Sequence, residues 1–392
     1  MFSNISIPRR PLNAAFDVDA LAARPTNTPA FLFDLEAMAA SARHVAEVGE
    51  QAACRTLYAL KALAIPAAVR SIAQFLDGLA VSSLVEARLA RGILDKIDDD
   101  HPRTLQWTSP GLRGDEVAEL AELCDTLVFN SLSQWRRLGN LAGEAGAPCA
   151  LRVNPQLSWL ADDRYNPCRP HSQLGVPLMQ LADLWSNAPQ ELDGLTGLHF
   201  HTNHRATSTE PIEATVRHLA NHIGPLLAQV EWLNVGGGYE LTEMDEAALE
   251  PLVRAAHCLR QEFGTRLVIE PGGTLVRRHG WLVASVVDLF DSDGQTIAVL
   301  DTSVAHLSEL FEYQRPAEIL GHTPAGAHAY TLTGCSCLAG DRFGQFCFDE
   351  RLTIGQRIVF ADVGAYTLSK VQQFNGLRPP EVFLWPRPTS LG

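Results

Sequence analysis

RTLYALK, residues 55–61, holds five strand-forming residues between an arginine and a lysine. Its length suits a strand, and the lack of strict polar alternation suits one covered on both faces, as in a parallel sheet. Seven further runs of the same kind follow: DGLAVSS (77–83), TLQWTSP (104–110), DTLVFNS (125–131), CALRVNP (149–155), LTGLHFHTN (195–203), WLNVGGG (232–238) and RLVIEPG (266–272). Most segments between them are rich in alanine and leucine and amphipathic, such as SLVEARLARGILDKI (83–97) and LSQWRRLGNLAGEAG (132–146), and read as helices. Eight repeats of strand then helix predict an α/β fold, a (β/α)8 TIM-type barrel over residues 36–280.

After the eighth run the pattern changes. TIAVLDTS, HAYTLTG and QRIVFADVGAYTLSK are punctuated by Gly, Asp and Pro and predict a β-rich C-terminal domain over 281–392. The early run TPAFLFDL is expected to bring the N-terminal segment, 1–35, into that same sheet.

A chain of 392 residues has room for a barrel and a second module. A net charge of −14, with no basic patch, argues against nucleic-acid binding. No apolar run approaches the roughly 18 residues that a membrane span needs. The N-terminus carries two arginines but no apolar core of a signal peptide, so a cytoplasmic location is expected. The eight cysteines are scattered, and the close pair Cys335 and Cys337 has no second pair at zinc-finger spacing, so neither a disulfide framework nor a metal site is expected.

The eight runs end in Lys61, Ser82–Ser83, Ser109, Asn130, Asn154, His201, Gly236–Gly238 and Glu270. In a TIM barrel those ends converge on the active-site face. Serines such as Ser83, Ser109 and Ser131 are accounted for equally well as helix N-caps. Lys61, His201 and Glu270 have no such structural excuse. Runs seven and eight continue into Gly236-Gly237-Gly238 and Gly272-Gly273, where barrels commonly seat a phosphate; glycines let backbone N–H groups approach it without a Cβ in the way. A phosphate site with a lysine on strand one and a carboxylate on strand eight points to pyridoxal 5'-phosphate. Lys61 would be its Schiff-base lysine, Glu270 the partner that keeps the pyridine nitrogen protonated, and His201 a ring stacked on the cofactor. For His201 alone, packing is an equal explanation.

Many stretches then fall into one order: YALKA, DGLAVSSLVEARLA, LRVNPQ, YNPCRPHSQLG, GLHFHTN, LNVGGG, EPGG, LDTSVAH, GCSCLAGDRFG and GAYTLSKVQQFNG. From about residue 28 onward the chain resembles the fold-type III pyridoxal-phosphate decarboxylases, and within them the carboxynorspermidine/carboxyspermidine decarboxylase branch. The resemblance implies decarboxylation at Cα of an amino acid in polyamine biosynthesis, by a homodimer whose active sites are shared across the interface. By position it makes Lys61, His201 and Glu270 the cofactor residues named above and Gly236, Gly237, Gly238 and Gly272 phosphate binders, with Tyr366 joining from the other subunit. It makes Cys337 the group that reprotonates the product carbon, also across the interface, and places Asp301 and Asp341 at the substrate's distal amine. By spacing alone, Cys335 would be an equal candidate.

Departures from that branch cluster at the catalytic face. After the stacking histidine the branch has a carboxylate where this chain reads Asn203-His204-Arg205; two histidines after the triple glycine are replaced by Tyr239 and Glu240; and Gly273 stands where a glutamate is usual. Arginine suits a substrate carboxylate better than a polycation. The same fold acting on a different, carboxylate-bearing amino acid is therefore a second expectation, with Asn203, His204 and Arg205 as substrate residues. An amino-acid racemase is disfavoured by Glu270, because racemases prefer a less electron-withdrawn ring. A silent cofactor-binding regulator is disfavoured by the presence of both Lys61 and Cys337. A barrel handling some other phosphate ligand would leave Lys61 a plain cation.

Overall fold

The computed structural model of the chain describes residues 17–313 and 315–386. The opening part of the expected N-terminal segment, 1–16, and the end of the C-terminal domain, 387–392, lie outside the described residues. The chain divides into two compact units, one of Ala39–Leu275 and one of 17–38 with 276–386. Strand β1 (Ala30–Asp34) belongs to the second unit.

The first unit is a closed parallel barrel. Its strands are β2 (Arg55–Ala59), β3 (Gly78–Val81), β4 (Thr104–Ser109), β5 (Thr126–Phe129), β6 (Cys149–Asn154), β8 (Leu195–His199), β9 (Trp232–Asn234) and β10 (Arg266–Ile269), with β10 pairing back to β2. A two-residue strand, β7 (Val176–Pro177), pairs with β6 beside the barrel. All eight expected runs are strands; β4 and β6 run on through Ser109 and Asn154, and the other six end before the residues expected to close them. β2 stops at Ala59 and Lys61 stands in the single 3-10 turn Leu60–Ala62; β8 stops at His199, β9 at Asn234 and β10 at Ile269. Lys61, His201, the triple glycine and Glu270 thus sit on the turns that follow the strands, at one end of the barrel. Helices follow as their caps dictate: Ser83 Oγ accepts from Glu86 N and Ser131 Oγ from Gln134 N, opening Leu84–Leu94 and Leu132–Glu144. Ser109 does not cap a helix; its hydroxyl accepts from Gly111 N in the following turn.

At the other end of the barrel, Trp232 packs on the cluster Leu57, Ala80 and Val268. Gly197 makes room for it, since a Cβ there would lie 2.2 Å from the indole. A cavity of about 220 Å³ opens around Trp232 among the strand starts, at the face that in such barrels serves stability rather than chemistry.

The second unit is a mixed sheet. β11 (Gly280–Ser292) pairs antiparallel with β1, with β12 (Gln295–Leu300) and with β16 (Arg357–Ala361). β13 (Glu318–Ile319) edges β16, and β14 (His328–Thr333) joins β12 to β15 (Arg342–Phe348). β17 (Glu381–Trp385) lies parallel to β1, so both ends of the described chain close this sheet. Leu21, Leu32, Trp281, Val283, Leu320 and Val359 form its core. The units change over at 38/39, within the helix Leu35–Ala52, and at 275/276.

Candidate active site

A cavity of about 390 Å³ opens at the C-terminal end of the barrel. Lys61, Arg152, His199, His201, Asn203, His204 and Glu270 line it, together with the loop that carries Arg164, Tyr165 and Arg169. Lys61 is reachable from the mouth, yet protein surrounds it closely enough for desolvation to lower its amine pKa against the opposing pull of Glu270.

Glu270 is buried and held from inside the barrel. Asn234 Nδ2 donates to its Oε1 at 2.8 Å, and His199 Nε2 stands 3.6 Å from the same oxygen. Burial pushes its carboxyl up, but His199, Lys61 and His201 outweigh that and bring it down to about 2. Asn234 is itself fixed, donating to Gln106 Oε1 and accepting from Gly236 N.

His201 follows β8 and is kept neutral by desolvation and by the charge of Lys61, its pKa well below the ordinary value. Gly237 N donates to His201 Nδ1 at 3.1 Å, so the neutral ring carries its proton on Nε2. The triple glycine is also a packing requirement. A Cβ on Gly237 would meet Glu270 O at 2.0 Å, one on Gly238 Asn203 O at 2.1 Å, and one on Gly236 His201 Nδ1 at 2.6 Å. The expected phosphate loop is therefore wedged between the two loops that present His201 and Glu270, with the Gly236 and Gly237 amides bonded to Asn234 and His201. Gly272 and Gly273 follow β10, at the start of the short helix Gly273–Val276.

Arg205 does not line the cavity. Its Nε lies 3.3 Å from Glu240 Oε1, and Asn203 Nδ2 donates to the Tyr239 hydroxyl at 2.9 Å. Four of the residues that depart from the branch thus pair with one another across two loops. His204 stacks on Tyr165, centroids 4.5 Å apart, and Cys168 Sγ donates to His201 O; both contacts tie the 155–175 loop to the mouth.

The other expected residues lie in the second unit. Cys337 is exposed, with its Sγ donating to Asn375 Oδ1 at 3.3 Å. Asp341 is buried and its carboxylate accepts from Val304 N, Ser336 N and the Ser336 hydroxyl. Asp301 accepts from Ser285 N and from the Thr28 hydroxyl. Tyr366, at φ +60°, lies under the Arg277 guanidinium, 5.8 Å from the ring centre. Among the described residues no cluster of His, Cys, Asp and Glu could hold a metal ion, and no helix is long and apolar enough to cross a membrane.

Arg152, His199 and Asn234 were given no part by the sequence. A signal existed for His199: it is two residues before His201 in LHFH, the period-two relation that sets residues on one side of an extended segment. Arg152 is the one charge inside the apolar strand CALRVN.

The family model described as pyridoxal-dependent decarboxylase, C-terminal sheet domain, matches residues 32–364. The carboxynorspermidine/carboxyspermidine decarboxylase of Campylobacter jejuni is 32% identical over 371 residues, covering 91% of this chain and 92% of that protein. The carboxyaminopropylagmatine decarboxylase of Synechocystis is 31% identical over 358 residues, covering 91% and 89%. Among solved structures, carboxynorspermidine decarboxylase from Campylobacter jejuni complexed with norspermidine superposes with a TM-score of 0.80 at 30% identity, over 91% of this chain and 94% of that one. Barrel, sheet and cavity are those of a fold-type III decarboxylase, and the chain belongs to the pyridoxal-dependent decarboxylases. Its cofactor is accordingly pyridoxal 5'-phosphate. The cavity fits that group: it offers an amine, an ionised carboxylate and a neutral imidazole. It is also walled by buried polar atoms without hydrogen-bond partners among the described residues, namely both ring nitrogens of His199, Nε of Arg152 and the Thr108 hydroxyl.

Proposed function

We propose that Lys61 attaches the cofactor, that the carboxylate of Glu270 meets its ring nitrogen, and that the chain releases carbon dioxide from Cα of an amino acid bound there. The reading rests on one observation above all: an ionised, buried Glu270, held by Asn234 and His199, shares a cavity with a desolvated lysine. When bound, pyridoxal phosphate supplies the electron sink that accepts the pair left behind as carbon dioxide departs. Glu270 keeps the sink strong by holding a proton on the ring nitrogen. The neutral His201, fixed through Nδ1, packs its face on the ring. Gly238, Gly272 and Gly273 let the backbone close on the phosphate, with Gly236 and Gly237 fixing the loop, and Tyr366 of a second copy completes the cradle.

Cys337 of that second copy gives its Sγ proton to the product carbon; its exposure on the second unit suits a group used by a partner. Asp341, with three bonds to its own chain, anchors the loop that presents Cys337, and Asp301 anchors Thr28 and Ser285. We assign these roles in place of direct contact with a substrate amine. Free thiols at Cys335 and Cys337 suit the reducing cytoplasm.

The substrates named for the relatives, carboxynorspermidine and carboxyspermidine, are the first candidates. A second reading, an amino acid with a further carboxylate, is favoured by the charge of the cavity wall, where Lys61, Arg152 and Arg169 stand with Glu270 as the one acidic lining residue, Arg164 being paired with Asp162. Arg205 lends that reading no support, being paired with Glu240. The test is to offer the loaded enzyme carboxynorspermidine, carboxyspermidine, ornithine, lysine, diaminopimelate and arginine and to follow loss of carbon dioxide by mass spectrometry. Product from the carboxylated polyamines supports the first reading. Product from diaminopimelate alone moves the assignment to the second. No product from any of them, with cofactor bound to Lys61, rejects the polyamine substrate.

A further inference from the structure

His199 has no part in the reading above, yet it is among the most enclosed polar side chains of the barrel. It closes β8 and is 2% exposed. Among the described residues neither ring nitrogen has a hydrogen-bond partner. A histidine kept for packing alone would ordinarily be satisfied or replaced by an apolar side chain. Its one close polar neighbour is Glu270 Oε1 at 3.6 Å, the oxygen that already receives the Asn234 amide. Two interior groups from neighbouring strands, β8 and β9, therefore converge on a single oxygen of the carboxylate. Neither contact uses Oε2. The other charged groups that bear on His199 are Lys61 after β2 and Arg152 on β6, both cationic, with His201 two residues away.

We propose that His199 is a positioning residue: with Asn234 it locks Oε1 toward the barrel interior and turns Oε2 to the cofactor's ring nitrogen, fixing the ring in its protonated form. The assignment rests on Glu270 meeting that nitrogen. Donors gathered on Oε1 also keep the carboxyl a weak base, so the shared proton stays on the ring. Without His199, Asn234 alone orients it, and the carboxylate relaxes toward Lys61 and Arg152, the two nearby cations.

The experiment uses full-length enzyme loaded with pyridoxal phosphate labelled with nitrogen-15 in the ring, and reads the ring-nitrogen chemical shift across pH. Wild type should hold the protonated-ring shift throughout its stable range. His199→Phe should move the shift toward the unprotonated value at a pH where wild type is unchanged, and should lower cofactor affinity by about tenfold, the scale on which removing the outer partner of a ligating group acts. His199→Gln, which keeps a donor, should restore most of both. Should His199→Phe fail to fold, His199→Gln and His199→Ala are compared in its place. Glu270→Gln is the control for the underlying assignment. If Glu270→Gln abolishes the protonated shift while the His199 variants keep the wild-type pH profile, the role given to His199 is wrong and that of Glu270 stands. If Glu270→Gln also leaves the shift unchanged, the assignment of Glu270 falls, and this inference with it.

Discussion

Lys61 shows at the scale of one residue how function is set against stability. Its amine opens onto the cavity, yet the desolvating walls around it lower its pKa from the ordinary 10.5. A folded-state pKa below the unfolded one means that the folded chain binds fewer protons between the two values, so stability rises with pH through that window. At pH 7 the charged amine is thus a net burden on the cofactor-free protein. Lys61→Met should raise the Tm of cofactor-free protein at pH 7, and its margin over wild type should shrink as pH climbs toward 10.5. It should also abolish covalent attachment of the cofactor, read by reduction with borohydride and mass spectrometry. A margin that is absent, or that ignores pH, would mean that the lysine is in effect solvated. Lys61 and Glu270 were legible in the sequence because each ends an apolar run, where a charge needs a reason. Arg152 and His199 were not, because a polar residue inside such a run looks the same whether it faces the barrel interior or the surrounding helices; only closure of the barrel puts both on the cavity.

Elements explain the residues by which this chain departs from the decarboxylase branch it resembles. The loops after β8 and β9 are joined by Ala206 N to Gly238 O and Glu240 N to Ala206 O, by the Asn203–Tyr239 hydrogen bond and by the Arg205–Glu240 pair. Asn203 contacts Tyr239 and Arg205 contacts Glu240, so these four changes form one altered contact, while His204 turns instead to Tyr165. From sequence, Arg205 looked like a candidate for a substrate carboxylate, because nothing in a linear reading tells that Glu240 lies across from it. The pair predicts non-additivity. Arg205→Ala, Glu240→Ala and the double variant should give a coupling of about 0.5–1 kcal/mol in a thermodynamic cycle, as for a partly exposed ion pair with its neighbours fixed. In kinetics, Arg205→Ala should change KM no more than Glu240→Ala does, since both loosen the same latch. A large rise in KM confined to Arg205→Ala would return the arginine to the substrate.

The architecture of the whole molecule was readable in advance because both units have simple signatures: a barrel of eight buried strands, and a sheet that collects both ends of the chain through β1 on β11 and β17 on β1. What no linear signal carries is which loops of the sheet unit serve chemistry, since Cys337 and Tyr366 stand in polar turns that look alike in any β domain. The proposed assembly turns that ambiguity into an experiment. Lys61 belongs to the barrel unit and Cys337 to the sheet unit. If each working site takes its lysine from one copy and its cysteine from another, two different inactive variants should repair one another. Lys61→Ala and Cys337→Ala, purified separately, are mixed in equal amounts under conditions that let subunits exchange. Random assortment makes about half of the dimers mixed, each with one intact site of two, so about a quarter of wild-type activity should appear where the separate variants have little. If each site were built from one chain, every site in the mixture would lack one residue, and activity would stay at the average of the two variants. Sedimentation of the mixture must show a dimer in either case, because a monomer that decarboxylates would remove the shared site altogether. Recovery near one quarter would place Cys337 in the partner's site.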